Sequence, residues 1–473
     1  MTGTVTASAH VGRRDASPAL VLVIVCAGVV LASLDLFIVN IALPAIAADL
    51  GTRDLSALSW VLNGYAIVYA SLLVFFGRLA DNYRRNLGFL VGVAVFTAAS
   101  AACALATSVT TLVVFRLLQA AGAALLTPTS LGLVLASFPA DRRPGAVRTW
   151  TAVGGLAAAL GPVLGGLLVA ANWRWVFLVN VPVGVIAMLV GWFRLPDIPG
   201  HRGPRPDALG TLLATAAVAT LTFALVKGND WGWAAAATWG TLAVSAVLLA
   251  SFIAHTRRAA NPLIDPALFR IPAFAGSTIV AAIFSASFGG MLLSAVLWQQ
   301  DVWGWSALKS GLAITPGPIM VPLFAFLVAG RLIGRLGAST VIVIGLTCFA
   351  AGLSWFAALV SLTPGYLTQL LPGMLLTGVG VGLTLPTVMA TGTSPLPAPS
   401  FATGSAVITM MRQVGLAIGV ALFVAVLATP TSAADQLASF HRGWWVLAAT
   451  AALGIVPAWR LRSRSHQDRA RTR

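Results

Sequence analysis

The sequence predicts an all-α membrane protein with fourteen transmembrane helices, and three observations support that fold class. Of its 473 residues, 58% are hydrophobic and only 9% are charged, whereas a soluble domain carries about 25% charged residues. The apolar residues gather in stretches of roughly the 20 residues that cross a bilayer as a helix. The basic residues concentrate in every second connecting segment, as in a chain that crosses a membrane repeatedly.

The apolar stretches form three groups along the chain. The first six predicted spans are residues 19–43, 58–76, 87–106, 112–135, 147–170 and 175–193. Two more cover 209–226 and 234–254, and the last six cover 273–298, 307–328, 340–360, 368–388, 402–427 and 441–458. The first stretch is longer than the 7–15 apolar residues of a signal-peptide core, so we interpret it as a retained helix.

The basic residues predict the orientation of the chain. The formal net charge of +16 would by itself suit a nucleic-acid partner. With a cytoplasmic amino terminus, however, 22 of the 29 lysines and arginines lie in cytoplasmic segments and 5 on the opposite side. The positive-inside rule therefore predicts that both termini are cytoplasmic and argues against nucleic-acid binding.

An internal repeat predicts the domain organisation. Three glycine-containing segments of the first half recur in the same order in the second half, at offsets of 253, 254 and 258 residues. Such a repeat indicates a duplicated six-helix unit, the alternative being the general bias towards glycine in packed membrane helices. We expect a six-helix bundle in residues 1–200, a two-helix insert in 201–260, a second bundle in 261–460 and a basic tail in 461–473. The recurring pairs are Gly77 with Gly330, Gly161 with Gly415, and Gly122 with Gly380.

Two ionisable side chains within the predicted spans are candidates for a proton site. Asp35 lies deep in the first span and Arg116 lies in the fourth. An ionisable group at that depth is costly and indicates function, and a buried guanidinium needs a partner. We therefore expect the two side chains to pair, either to form a site that loads and releases a proton or only to hold helices together.

Glycines and a proline shape the fifth span. The segment from Gly154 ends in Gly161-Pro162-Val163-Leu164-Gly165-Gly166. Proline removes a helix hydrogen bond and kinks the span, and glycines allow a neighbouring helix to approach closely. The segment is thus a candidate seal or hinge, the alternative being a packing surface only.

A further glycine-led segment connects the second and third spans. It reads Gly77-Arg78-Leu79-Ala80-Asp81-Asn82-Tyr83-Arg84-Arg85. Its aspartate is expected to cap a helix or to pair with an arginine, because short carboxylate side chains suit both roles.

These segments resemble the signature motifs of the major facilitator superfamily, in its 14-helix drug:proton antiporter branch (the EmrB/QacA type), over nearly the whole chain. The resemblance implies the major facilitator fold, with two six-helix bundles and two inserted helices. It also implies that Asp35 couples transport to protons and that Arg116 tunes it. The segment that ends at Gly166 is similar to motif C, which is typical of antiporters rather than symporters.

The segment from Gly77 is similar to motif A, which latches the cytoplasmic ends of helices. Two residues depart from that motif: Arg84 stands where the family usually has glycine, and Asn82 where it usually has arginine.

Polar and aromatic side chains within the spans are candidates for the substrate cavity, although such residues also bridge helices. The candidates are Asn40, Trp60, Asn63, Tyr65, Tyr69, Gln119, Trp298, Gln299, Gln300, Arg412 and Gln413.

The resemblance and the residues together favour a proton-coupled exporter of hydrophobic small molecules such as drugs or antibiotics. The alternatives are a proton-coupled uptake symporter on the same fold and a membrane sensor or scaffold. We expect no enzyme activity, no metal site and no cofactor, because neither a phosphate-binding loop for ATP nor a metal-ligand cluster occurs. We further expect a monomer in the cell inner membrane that takes neutral or monocationic substrates.

Overall fold

The computed structural model describes residues 17–52, 54–139, 141–198, 207–396, 401–427 and 432–461, which are almost entirely helical. Each of the fourteen predicted spans is a helix, which confirms the predicted fold class. Thirteen of the helices are long and apolar enough to cross a membrane, and α5 contributes the shorter apolar stretch Leu160–Ala171. The chain is a multi-pass membrane protein.

The helices follow one another with short connections. The first six are α1 (Pro18–Asp49), α2 (Leu55–Asn82), α3 (Arg85–Ala104), α4 (Val109–Ser137), α5 (Arg143–Ala171) and α6 (Trp175–Arg194). The inserted pair is α7 (Ala208–Trp231) and α8 (Ala236–Arg258). The last six are α9 (Pro272–Val302), α10 (Ala307–Leu336), α11 (Ala338–Leu359), α12 (Tyr366–Thr393), α13 (Phe401–Leu427) and α14 (Ala433–Leu461).

Helix caps explain where the predicted boundaries were displaced. The last helix begins at Ala433 rather than at residue 441, because the Ser432 side chain accepts a hydrogen bond from the Asp435 backbone N–H. Its first two turns carry polar residues, which hide them from a hydropathy criterion. At the start of α4, Ser108 and Thr111 form a capping box, so that helix also begins earlier than predicted.

Alternating helix directions place the helix-terminal arginines together. Arg85 begins α3, and Arg194, Arg258 and Arg335 lie at or near the ends of α6, α8 and α10. All four lie at the end of the bundle where α1 begins, which we call the arginine-rich end. The end where α1 finishes is called the opposite end.

Equivalent helix pairs in the two halves pack through the same glycines that repeat in the sequence. A Cβ atom built at Gly122 of α4 would lie 2.5 Å from the Phe96 backbone nitrogen of α3. In the second half, a Cβ at Gly380 of α12 would lie 2.6 Å from Phe349 Cβ of α11. Only glycine permits backbones to approach so closely, so the repeat in the sequence is also a repeat in the packing.

The insert is packed at a seam between the two halves. Helix α2 of the first half and α13 of the second lie side by side, and α7 contacts both. Ala66 and Ile67 of α2, Ala417 of α13 and Val218 of α7 form one apolar cluster there. Helix α8 packs mainly against α7. The halves also meet at a second seam, between α5 and α10, which lies apart from the inserted helices.

The aspartate that precedes α7 ties the insert together near the arginine-rich end. Asp207 accepts hydrogen bonds from the Gly210 and Leu263 backbone nitrogens, at 2.8 and 2.9 Å, and lies 2.9 Å from His255 Nε2 of α8. Burial raises the pKa of Asp207, but these hydrogen bonds outweigh burial and leave its pKa below the ordinary value. The carboxylate therefore joins both inserted helices to the segment that leads into α9.

Candidate functional site

The centre of the first half holds a buried ion pair. Asp35 of α1 and Arg116 of α4 are both fully buried, and Arg116 Nη1 donates to Asp35 Oδ2. Gln119, one turn further along α4, donates from Nε2 to the other carboxylate oxygen at 2.8 Å. A buried charge pair is tolerable only when its remaining hydrogen-bonding atoms are satisfied, and the neighbouring amide supplies one such partner.

Asn180 and Ser100 complete the shell around Asp35. Asn180 Nδ2 donates to Asp35 Oδ1 at 3.2 Å and to Ser100 Oγ at 3.3 Å, and Gln119 Nε2 also donates to Ser100 Oγ at 2.6 Å. Neither residue was among the predicted site residues. Asn180 lies where α6 resumes after its first turn, a position where asparagine usually suggests a helix cap. Ser100 lies in a run of small residues that gives no signal.

Arg116 has other partners besides the carboxylate. Its Nε donates to the Val61 carbonyl at 3.2 Å and its Nη1 to Gln119 Oε1 at 2.6 Å. The guanidinium carbon lies 4.1 Å from the centre of the Tyr65 ring, a cation–π contact. If Asp35 takes up a proton, the arginine keeps these neighbours. The arrangement can therefore accommodate loss of the ion pair without leaving a wholly unsolvated cation.

A narrow pocket lies beside this ion pair, between the two halves. Its first-half wall includes the polar residues Asn40, Asn63 and Arg116, whereas its second-half wall is apolar. The free space is about 30 Å³, enough for water but far below the 300–1,000 Å³ of drug-sized ligand sites. The second-half wall consists of Gly289, Leu292, Leu416, Ala417 and Val420.

Two predicted cavity residues line this pocket directly. Asn63 is fully buried, and neither its side-chain nitrogen nor its oxygen has a hydrogen-bond partner within the described part of the chain. Asn40 donates to the Leu36 carbonyl of its own helix at 3.1 Å. An unpaired buried amide is costly, so Asn63 is available to a ligand.

Other predicted cavity residues lie near the pocket without lining it. Tyr65 and Tyr69 stack on each other, with ring centres 6.0 Å apart. Arg412 and Gln413 lie on α13, about one turn before the pocket residue Leu416. Gln119 belongs to the Asp35 shell described above.

The remaining predicted cavity residues lie in other surroundings. Trp60 packs against Phe223 of the insert, with ring centres 6.1 Å apart. Trp298 is fully buried in an aromatic cluster with Trp303, Phe440 and Trp444. These two tryptophans do not line the pocket between the halves.

The π-helical turn that ends α9 carries the last two candidates. Gln299 is fully buried, and its side-chain nitrogen and oxygen have no partner within the described ranges. Gln300 donates to the Ile41 carbonyl of α1 at 3.1 Å, which joins the two halves at the opposite end.

The predicted seal in α5 contacts helices of both halves. A Cβ at Gly161 would lie 2.7 Å from Phe37 Cβ, and one at Gly165 would lie 3.1 Å from the Ile38 carbonyl oxygen, both on α1. On its other side, a Cβ at Gly166 would lie 2.7 Å from the Ala307 carbonyl oxygen of α10. Pro162 likewise meets Gly311 of α10. The segment therefore closes the opposite end by backbone contact between the halves.

Residues nearer the start of the α5 segment and around Gly77 complete the predicted set. A Cβ at Gly154 would lie 2.9 Å from Val29 Cγ1 of α1. A Cβ at Gly77 would lie 3.7 Å from Pro128 Cβ of α4. The side chains of Arg78 and Asp81 lie outside the described residues.

The two arginines after this segment make contacts at the arginine-rich end. Arg84 pairs with Asp197, which follows α6, and its Nε donates to Asp197 Oδ1 at 2.6 Å. Arg85 Nη1 donates to the Gly132 carbonyl of α4 at 3.4 Å. These contacts join helix ends, as a latch would, and both arginines belong to the segment in which the sequence predicts a cytoplasmic gate.

Comparison with known proteins supports the same architecture. The family model described as "Major Facilitator Superfamily" matches residues 25–420. A methylenomycin A resistance protein from Streptomyces coelicolor is 33% identical over 466 residues, which cover 98% of this chain and 96% of that protein. A cephamycin export protein from Amycolatopsis lactamdurans is 33% identical over 451 residues, covering 93% and 92%.

Solved structures resemble the whole helical arrangement. The crystal structure of the POT family transporter PepTSo has a TM-score of 0.68 at 16% sequence identity, with 95% of this chain and 98% of that chain covered. At so low an identity, the structural likeness supports the fold and carries no information about the substrate.

Proposed function

Because the chain belongs to the Major Facilitator Superfamily and is thus a transporter rather than an enzyme, we propose that it exports hydrophobic small molecules, such as antibiotics, in exchange for protons. Two relatives matched over nearly their full length are named for antibiotic resistance or export. The observation that carries the proton coupling is the fully buried ion pair of Asp35 and Arg116 at the centre of the first half.

We place the arginine-rich end in the cytoplasm of the cell that bears the protein in its inner membrane, with both termini on that side. The excess of basic residues at this end supports the orientation. The opposite end then faces outwards, and the contacts of Gly166 and Gln300 make this an outward-closed conformation. The protein acts as a monomer, without ATP or a bound cofactor.

Transport in this scheme follows from exchange of partners at Asp35. A proton that arrives from outside neutralises the carboxylate and removes its attraction for Arg116, whose other neighbours retain the guanidinium. Each proton that enters contributes about 2.3 kcal/mol per 100 mV of membrane potential, in addition to the pH gradient. Substrate binds between the halves when the pocket widens towards the cytoplasm, and the halves then rock about it.

Transport assays in proteoliposomes test this function. A proton gradient imposed across the membrane should drive export of an antibiotic by the wild-type protein, and Asp35→Asn should abolish the gradient-driven part while leaving the protein folded. Asp301→Asn is the matched control, since this carboxylate lies in the π-helical turn at the opposite end and is exposed.

Two results would contradict the proposal. Export that continues unchanged in Asp35→Asn would remove Asp35 from the coupling mechanism. Accumulation of substrate inside the compartment that corresponds to the cytoplasm, driven by the same gradient, would favour the uptake symporter instead.

A further inference from the structure

Arg412 of α13 is an arginine within a span that has no carboxylate partner. Among the residues that the structure describes, no carboxylate oxygen lies within 4.0 Å of the Arg412 side-chain nitrogens, the limit for an ion pair. The Nε atom of Arg412 is buried without a hydrogen bond. The side chain as a whole is partly exposed. A guanidinium inside a membrane span is costly, and the other such residue, Arg116, is paired with Asp35.

Arg412 lies next to the pocket between the halves. It precedes the pocket residue Leu416 by four positions on α13, so the two side chains share one face of the helix. Across the seam, Tyr69 follows the pocket residue Ala66 by three positions on α2. Helices α2 and α13 pack side by side, so Tyr69 and Arg412 lie on the same side of the pocket. Arg412 therefore lies about one turn from the pocket, towards the arginine-rich end.

The polar groups that the structure describes around Arg412 carry no negative charge. The hydroxyl of Tyr65 is buried without a partner within the described residues, and Tyr69 Oη lies 3.2 Å from Thr127 Oγ1. The two rings stack between Arg116, which lies over Tyr65, and the seam that holds Arg412. Since Asp35 and Arg116 cancel each other, the described residues beside the pocket keep one uncompensated positive charge, that of Arg412.

We propose that Arg412 binds an acidic oxygen of the transported molecule, a carboxylate or a phenolate, while the apolar wall of the pocket holds the hydrophobic body. The proposal rests on the exporter function and specifies its substrate class. A planar guanidinium matches a carboxylate with two parallel hydrogen bonds, and partial exposure leaves its edge accessible to a ligand. The geometry thus favours acidic substrates over the neutral or monocationic compounds that the sequence suggested.

A matched pair of dyes provides the test. Rhodamine 110 carries a free carboxylate, and rhodamine 123 is its methyl ester, so the two differ only in the group that Arg412 would recognise. Binding is measured by fluorescence anisotropy with the purified full-length protein in detergent, without a gradient. We expect the wild-type protein to bind the acid about tenfold more tightly than the ester, the usual scale of a charge-assisted hydrogen bond. Arg412→Gln should remove this preference and leave ester binding within about twofold.

Control variants separate the subsite from folding and from general charge. Arg174→Gln removes one positive charge at the opposite end, where Arg174 pairs with Asp49, and should preserve the preference. Arg412→Lys should retain part of it, because the charge remains but the planar fork is lost.

The possible failures of the two proposals are distinguishable. A wild-type protein without preference for the acid, or an Arg412→Gln variant that keeps the preference, overturns the subsite even if the ester is exported along a proton gradient. Failure of the wild-type protein to export any tested compound contradicts the exporter function, whereas a dye preference lost in Arg412→Gln would still support the subsite.

Discussion

A single methyl group at Gly166 should open the end of the bundle that the structure shows closed. A Cβ at this position would lie 2.7 Å from the Ala307 carbonyl oxygen and from Leu308 Cα, whereas ordinary van der Waals contact begins at 3.4 Å. In Gly166→Ala, α5 and α10 must therefore separate by several tenths of an ångström. Overpacking of this kind costs about 1–3 kcal/mol.

That cost applies only to the closed conformation, because the contact joins the two halves and is absent once they part at this end. A differential cost of about 1–3 kcal/mol shifts the ratio of open to closed molecules by roughly 5- to 150-fold. Gly155→Ala is the matched control, since it lies on the same helix and a Cβ there has nothing within 4 Å.

Distances between spin labels measure the shift. Asn172 and Ser306 are exposed at the opposite end, next to the ends of α5 and α10, and cysteines there can be labelled after Cys26, Cys103 and Cys348 are replaced by serine. We expect Gly166→Ala to add a population with longer distances and Gly155→Ala to match the parent. If both variants give the distance distribution of the parent, the reasoning that α5 seals this end through Gly166 is wrong.

Two further predictions concern residues that the structure, rather than the sequence, brings forward. Asn180→Ala removes one hydrogen bond to the Asp35 carboxylate and should slow gradient-driven export in proteoliposomes about tenfold, the lower end of the range for hydrogen bonds to charged groups. The control Asn172→Ala, at an exposed position, should export at the rate of the wild-type protein. Asp207→Ala removes a helix cap and should lower the stability in detergent by about 1 kcal/mol, measured as apparent melting temperature against Asp141→Ala. Because the pKa of Asp207 is lowered in the folded protein, its stabilisation is present above about pH 3.9 and is lost as the pH falls below it. A melting difference that grows as the pH falls below about 3.9 would contradict this assignment.

The ion pair was predictable because few charges occur within the spans. Asp35 and Arg116 had to find partners in a medium that does not solvate charge. The other members of the network were not predictable by that reasoning. Asn180 and Ser100 are neutral residues of types that occur throughout membrane helices. Only the packing of α3 and α6 against α1 brings them to the carboxylate.

The helices themselves were predictable from hydropathy, since bilayer-spanning segments must satisfy their own backbone hydrogen bonds. Their arrangement was not. Two inserted helices could be read from the sequence, but nothing in their composition places α7 along the seam between α2 and α13. That position depends on side-chain packing, such as Val218 against Ala417, in a region where all surfaces are similarly apolar.

The distribution of residues between the halves restricts how protons and substrate can be coupled. Within the described part of the chain, each hydrogen-bond partner of the Asp35 carboxylate lies in the first six helices, whereas one wall of the pocket belongs to the second half. Protonation therefore cannot change the second half through a direct contact of Asp35. Arg116 bonds to Asp35 and also lines the pocket, so a change in the carboxylate can reach bound substrate by moving this one guanidinium. The proposed coupling through Arg116 suits an ion pair whose guanidinium already has other partners, the Val61 carbonyl, Gln119 and the Tyr65 ring.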